Sequence, residues 1–367
     1  MGLKAGIVGL PNVGKSTLFS GLTRMRAESA NYAFTTIEPN TSIVELNDKR
    51  LTKLSNMVNT QKTIKATFEF VDIAGLVAGA SKGEGLGNKF LANIREVDLI
   101  VHVVRCFENK DILHVANSVD PVRDFETINL ELIFADMQTL ENVLSRIAKR
   151  AQNTQDKKLL KEVETIDKVM QAFREEKMAW EINLDEEEIK ILKSYQLLTL
   201  KPMIIVANVA SEHATNPELD SNFVKIKELA DKKNIKLVPL SVEIETEISF
   251  LNEEEKEMFL SEYNLTASGL DNLIRTAFDN LNLATYFTVG IRETRAWVFK
   301  KGMLAPECAG IIHNDFEKHF IKAEVIAYED FIICGGEKEA KDAGKMRLEG
   351  KSYIMKDGDI CNFKIGK

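Results

Sequence analysis

Residues 5–17 read Ala5-Gly6-Ile7-Val8-Gly9-Leu10-Pro11-Asn12-Val13-Gly14-Lys15-Ser16-Thr17. Ala5–Val8 is a short apolar run; a glycine-rich loop follows, then the amphipathic stretch Ser16–Arg24. Gly9–Ser16 fits GxxxxGK[ST], in the strand–loop–helix setting that this pattern requires. Main-chain N–H groups from Asn12 to Ser16 can wrap the α- and β-phosphates of a nucleotide, aided by the helix N-terminus. Lys15 places a point charge between the β- and γ-phosphates, and Ser16 offers its hydroxyl to Mg²⁺. A nucleoside triphosphate is therefore expected against Asn12, Val13, Gly14, Lys15, Ser16 and Thr17.

Working outward, Asp72-Ile73-Ala74-Gly75 follows the strand candidate Phe68–Val71. At a strand end Asp72 can hold the metal through water, and the Gly75 N–H can reach the γ-phosphate. Alone, this DxxG would be an ordinary turn; downstream of a phosphate loop it is a switch. Between the two lies Thr35-Thr36, where a hydroxyl, taken as that of Thr36, completes Mg²⁺ only when the segment closes over triphosphate.

After Met203–Ala207, Asn208-Val209-Ala210-Ser211 stands where a GTPase carries NKxD, whose aspartate accepts from guanine N1–H and the 2-amino group. Ser211 has no carboxylate, and Glu212 comes one residue late. Leaving guanine's two donors unpaired costs about 1–3 kcal/mol each when buried, whereas adenine has neither donor. Asn208 can contact an adenine edge through N6 and N7. ATP is expected over GTP, with Asn208, Val209 and Ser241 on the base side.

The 367 residues suffice for two or three domains. A net charge of −8 argues against bulk nucleic-acid binding, and no DNA partner is expected. No apolar run reaches the roughly 20 residues of a membrane helix. The N-terminus runs straight into a strand, so no signal peptide is expected. Cys106, Cys308, Cys334 and Cys361 lack metal-ligand spacing and read as reduced thiols.

Leu99–Val104, Met203–Ala207 and Leu237–Leu240 complete a set of short β-branched runs typical of a mostly parallel α/β sheet covered on both faces. The series is interrupted by two stripes at heptad spacing. One is Ile133, Met137, Leu140, Leu144, Ile147 and Ala151; the other is Leu159, Val163, Ile166, Met170 and Phe173. An antiparallel coiled-coil arm is expected, because charged residues such as Lys157, Lys161 and Glu164 occupy the other faces. Two core helices would give the same stripes. From Asn282 a small α+β module begins, with strands at 286–290, 295–299 and 331–334 and a helix at 314–322. The expected domains are a nucleotide domain, 1–129 with 200–281, a helical insertion at 130–199, and a C-terminal domain at 282–367.

These motifs, in this order, resemble the Obg-related subfamily of translation-factor P-loop GTPases, and in particular its YchF/Obg-like ATPase branch. The likeness lies in GLPNVGKST (9–17), NYAFTTIEPN (31–40), DIAGLVAGASKGEGLGNKFL (72–91) and HVVRCFEN (102–109). RAWVFKKG (295–302), HNDFEKHFI (313–321) and EGKSYIMKDGD (349–359) extend it to the C-terminus. The resemblance implies a P-loop NTPase with a Ras-like G domain, the coiled-coil arm and a C-terminal TGS (β-grasp-like) domain. It also implies association with the ribosome; ribosomal RNA is an expected partner, and the chain is expected to be a cytoplasmic monomer.

Leu76 stands where Ras-like enzymes carry the glutamine that orients water, and the family is thought to use a histidine from a mobile loop; the matching position is His114. A structural histidine is the other reading of that residue. Asn12 matches the asparagine with which relatives bind K⁺. Ser211 departs from the family's NxxE. In the C-terminal module, Arg292, Arg295, Lys300 and Lys301 interleave with Trp297 and Phe299. That alternation fits an RNA-facing patch, and equally a strand with one face in a core.

Overall fold

The apolar run before the phosphate loop forms β1, Lys4–Val8, enclosed at every position after Lys4. In a computed structural model, which describes residues 3–28, 40–73, 85–263, 265 and 267–366, six further strands precede the C-terminal module. They are β2 Thr41–Glu45, β3 Thr63–Ile64, β4 Thr67–Asp72, β5 Leu99–Arg105, β6 Met203–Asn208 and β7 Lys236–Leu240. One sheet has the order β2-β4-β1-β5-β6-β7. β1 pairs in parallel with β4 and β5, β5 with β6, and β6 with β7. β5 and β6 are buried along their whole length, as central parallel strands covered on both faces must be. The C-terminal ends of β1, β4, β6 and β7 carry the phosphate loop, Asp72, Asn208 and Ser241 respectively.

The helical insertion starts earlier than expected. One helix runs Pro121–Thr154, about 51 Å at 1.5 Å per residue. Asp120 caps it by accepting from the N–H groups of Val122 and Arg123. Gln155 in the left-handed conformation ends it, and a second helix, Lys157–Arg174, returns alongside. Phe125, Ile128, Leu132 and Ile133 are fully buried, while Leu144, Ile147, Leu159 and Val163 are only half-covered. The pair is therefore core at its base and an exposed arm at its tip. Both readings of the stripes hold, each for one end.

The chain divides into two compact units, residues 1–43 with 69–276 and residues 44–68 with 277–367. The expected boundaries are corrected at three places: the second unit resumes at Ala277 rather than Asn282, the insertion belongs to the first unit, and residues 44–68 belong to the second. The cause of the last is visible in the packing. β3 pairs with a C-terminal strand, and Leu51 and Leu54 sit in one core with Phe287, Ile326, Phe331 and Ile360.

The second unit adds β8 Leu283–Thr288, β9 Thr294–Lys300, β10 Phe320–Ala327, β11 Arg347–Glu349 and β12 Asp359–Ile365, in the sheet order β11-β10-β12-β8-β9-β3. The strand expected at 331–334 is instead the end of a helix, Tyr328–Cys334. Glu329 and Asp330 favour a helix in its first turn, only Phe331 of the run is buried, and Gly335 at φ +94° stops it. The expected helix at 314–322 ends at Lys318, and β10 takes over at Phe320.

Arg50 fastens the 44–68 segment to this unit. Its guanidinium donates to Asp48, to Asp357 at 2.8 Å and to the Thr285 hydroxyl at 3.0 Å. Arg50 and Asp357 are partly exposed, which weakens the pair by solvent screening. Arg50→Ala is expected to destabilise the protein by about 1–2 kcal/mol, read from urea unfolding; an unchanged midpoint would contradict this role.

Candidate functional site

The phosphate loop takes the shape its sequence demands. Asn12 lies at φ +62° and Gly14 at φ +103°, left-handed conformations of the kind Asn and Gly tolerate. A Cβ on Gly14 would stand 2.5 Å from Asn208 Nδ2, so glycine is required for space as well as for φ. Val13 is buried, whereas Asn12, Ser16 and Thr17 face solvent at the mouth of the loop.

Lys15 is buried, and its ammonium donates to the Leu10 carbonyl at 2.7 Å, across the space the loop encloses. Burial lowers its pKa to about 8, with the Asp72 carboxylate opposing that shift. Asp72 in turn is raised by burial and lowered by Lys15, and its Oδ1 is buried with no hydrogen-bond partner. An orphaned carboxylate oxygen beside a lysine is an unfilled acceptor. Together with the exposed Ser16 it fits the hard, oxygen-preferring Mg²⁺ that P-loop hydrolases of this fold use. Thr36 and Gly75, the other expected metal and phosphate residues, lie outside the described residues.

On the base side Asn208 is engaged by the protein itself. Its Nδ2 donates to the Val13 carbonyl at 3.0 Å, and its Oδ1 accepts from the Val242 N–H at 3.1 Å. The side chain read as an adenine contact thus ties the phosphate loop to the turn after β7. Val209 and Ser241 are buried in the same corner, the Val209 N–H donating to the Leu240 carbonyl. Ser211 donates to Glu243 Oε2 at 2.6 Å and lies 3.1 Å from the Ser241 hydroxyl. Glu212, the acid nearest in sequence, points to solvent without a hydrogen bond of its own among the described residues.

His114 is held inward. Its Nδ1 accepts from the Ala116 N–H at 3.1 Å, so the ring proton sits on Nε2, which donates to Asp124 Oδ2 at 2.8 Å. Arg123 holds the other oxygen of Asp124. Two side chains set the segment that carries the histidine. Arg105 donates to the carbonyls of Phe107, Asn109 and Ile112, and Asn12 Nδ2 donates to the Leu113 carbonyl at 3.1 Å. His102, buried on β5 and stacked on Phe125, is kept neutral by burial and by Lys15, its pKa falling to about 3.

Sequence reading passed over three residues of this site: Arg105, Asp124 and Glu243. Arg105 had a signal, since an arginine closing a buried central strand that is apolar but for His102 needs partners. Asp124 and Glu243 had none, because each sits among other acids on a helix.

Family models match both ends of the chain. Residues 4–132 match MMR_HSR1, a 50S ribosome-binding GTPase, and residues 283–366 match YchF-GTPase_C, a protein of unknown function (DUF933). The chain is 54% identical to the ribosome-binding ATPase YchF of Bacillus subtilis over 365 residues, covering 100% of both chains. To the protein of that name in Haemophilus influenzae it is 52% identical over 366 residues, covering 100% of this chain and 99% of that one. The solved YchF GTPase of Schizosaccharomyces pombe superposes with a TM-score of 0.90 at 37% identity, over 99% of this chain and 97% of that one. Sharing more than half its residues with a relative from end to end, and that fold throughout, this chain is a member of the YchF family of P-loop nucleotide hydrolases.

Proposed function

We propose that this protein is a cytoplasmic ATPase, stimulated by K⁺, whose nucleotide state governs its association with the ribosome and ribosomal RNA. One observation carries the hydrolase chemistry. The orphaned Asp72 oxygen stands beside a buried lysine whose only hydrogen-bond acceptor among the described residues is a carbonyl of the phosphate loop. A triphosphate would replace that carbonyl as the partner of Lys15. Ser16, Asp72 and Thr36 would hold Mg²⁺, which neutralises charge on the β- and γ-oxygens when bound. The Gly75 N–H would meet the γ-phosphate.

His114 is the residue proposed to orient water. Both its ring nitrogens are engaged in the inward position, so it must leave Asp124 to act. The Asn12–Leu113 hydrogen bond gives the phosphate loop a direct hold on that segment. Asn12 Oδ1 accepts no hydrogen bond among the described residues, which supports a K⁺ contact beside the phosphates. The ribosome reading is supported by what the relatives are called. It is also supported by a C-terminal surface where Arg292, Lys300 and Lys301 are exposed and Arg295 lies 3.9 Å over the Trp297 ring. Phe299, by contrast, is core.

Single-turnover ATP hydrolysis tests this reading. His114→Ala is expected to slow the chemical step about 10²-fold in K⁺, and a full rate would dismiss the histidine. Equal wild-type rates in K⁺ and Na⁺ would remove the potassium. Cosedimentation with ribosomes that ignores ATP against ADP would remove the switch.

A further inference from the structure

We propose that Glu243 is the base-selecting carboxylate of this protein, and that through it the site admits guanine as well as adenine. The inference rests on the nucleotide site proposed above and names its specificity residue.

Ligands of open parallel sheets bind outside the carboxyl ends of the strands. β6 and β7 are parallel neighbours, and residues 208–211 and 241–243 leave those ends side by side. Asn208 joins both to the phosphate loop, accepting from the Val242 N–H and donating to the Val13 carbonyl. The corner is therefore fixed relative to the phosphates.

Within it, Ser211 donates its single hydroxyl proton to Glu243 at 2.6 Å, so at the 3.1 Å contact Ser241 must be the donor. The relay Ser241→Ser211→Glu243 holds an exposed carboxylate one hydroxyl beyond the position of the GTPase aspartate. Among the described residues no lysine, arginine or histidine pairs with Glu243, and its Oε1 accepts no hydrogen bond. The missing acid of the base motif is thus supplied from the start of the helix that follows β7.

Its chemistry runs against that of Ser211 alone. Guanine's N1–H and 2-amino group form a two-donor edge that matches a carboxylate, whereas adenine presents a lone pair at N1, which a carboxylate repels. Ser211 is a positioning residue in this scheme: it acts through Glu243.

The test is competition of ATP, GTP and ITP for a fluorescent nucleotide bound to the full-length protein, as wild type, Glu243→Ala, Glu243→Gln and Ser211→Ala. Glu243→Ala is expected to raise the Kd of GTP relative to that of ATP by about 10- to 100-fold. Ser211→Ala should move the ratio the same way by less. ITP, lacking the 2-amino group, should show a smaller change than GTP. Glu243→Gln keeps the shape while offering a donor to adenine N1, and should also favour ATP. A GTP-to-ATP ratio unchanged within about twofold in Glu243→Ala would overturn the proposal. In that case intact wild-type ATP binding would leave the ATPase reading standing, whereas a wild type that binds no nucleotide would sink both.

Discussion

Lys15→Ala is expected to lower the rate of hydrolysis by about 10³-fold or more, the scale for removing a fixed charge from a phosphoryl-transfer site. The ammonium is already inside the loop, desolvated and donating to the Leu10 carbonyl, so it has only to exchange that partner for the triphosphate. A variant that turns over ATP at the wild-type rate would contradict the whole site.

The same residue gives a pH dependence. With a pKa lowered to about 8 in the nucleotide-free protein, Lys15 is half deprotonated near pH 8 and mostly neutral a unit above it. The triphosphate binds the charged form, so affinity should be level below pH 8 and fall by up to about tenfold per unit above it. Binding at pH 9 should take up a proton, measurable by calorimetry in buffers of different ionisation enthalpy. The effect on stability has the opposite slope. The folded value lies below the unfolded 10.5, so the fold disfavours the charged lysine; that cost is full below pH 8 and fades as pH rises towards 10.5. Nucleotide affinity and stability should therefore diverge between pH 8 and 10.

Asp136→Ala should unfold the protein more readily by about 3–5 kcal/mol, the largest stability loss we expect from one side chain. Asp136 is buried in the long helix and accepts from the N–H groups of Leu198 and Thr199 and from the Thr199 hydroxyl at 2.6 Å. Alanine would leave three buried donors unpaired. The same turn leads into β6, so Asp136 anchors the strand that ends in Asn208. Asp136→Asn keeps one acceptor oxygen and should cost less. A loss below about 1 kcal/mol for the alanine variant, in urea melts, would show that water satisfies the turn.

The elements legible in the chain are those whose cause is local. β1, β4, β5, β6 and β7 were each foreseeable: β1, β5 and β6 are covered on both faces and need a short apolar run whatever their neighbours are, and β4 and β7 keep apolar residues at their buried positions. The phosphate loop was legible because its function is main-chain geometry, and Gly14 and Asn12 record that geometry directly. Where the cause is remote, the reading failed. Phe331-Ile332-Ile333-Cys334 has strand composition, yet the flanking acids and Gly335-Gly336 make it helix. Leu51 and Leu54 look like part of the nucleotide domain and are buried against residues more than two hundred positions later.

From residues 9–16 alone it followed that a nucleotide's phosphates would meet backbone amides and a lysine, since that site is built from consecutive positions. The inward turn of His114 onto Asp124, the engagement of Asn208 by the protein, and the meeting of Ser211 with Glu243 came from the fold. The serine and glutamate lie thirty-two residues apart, at the ends of two strands that only the sheet makes neighbours. Which side chains share a corner depends on strand order, and strand order is a property of the assembled sheet rather than of any stretch within it.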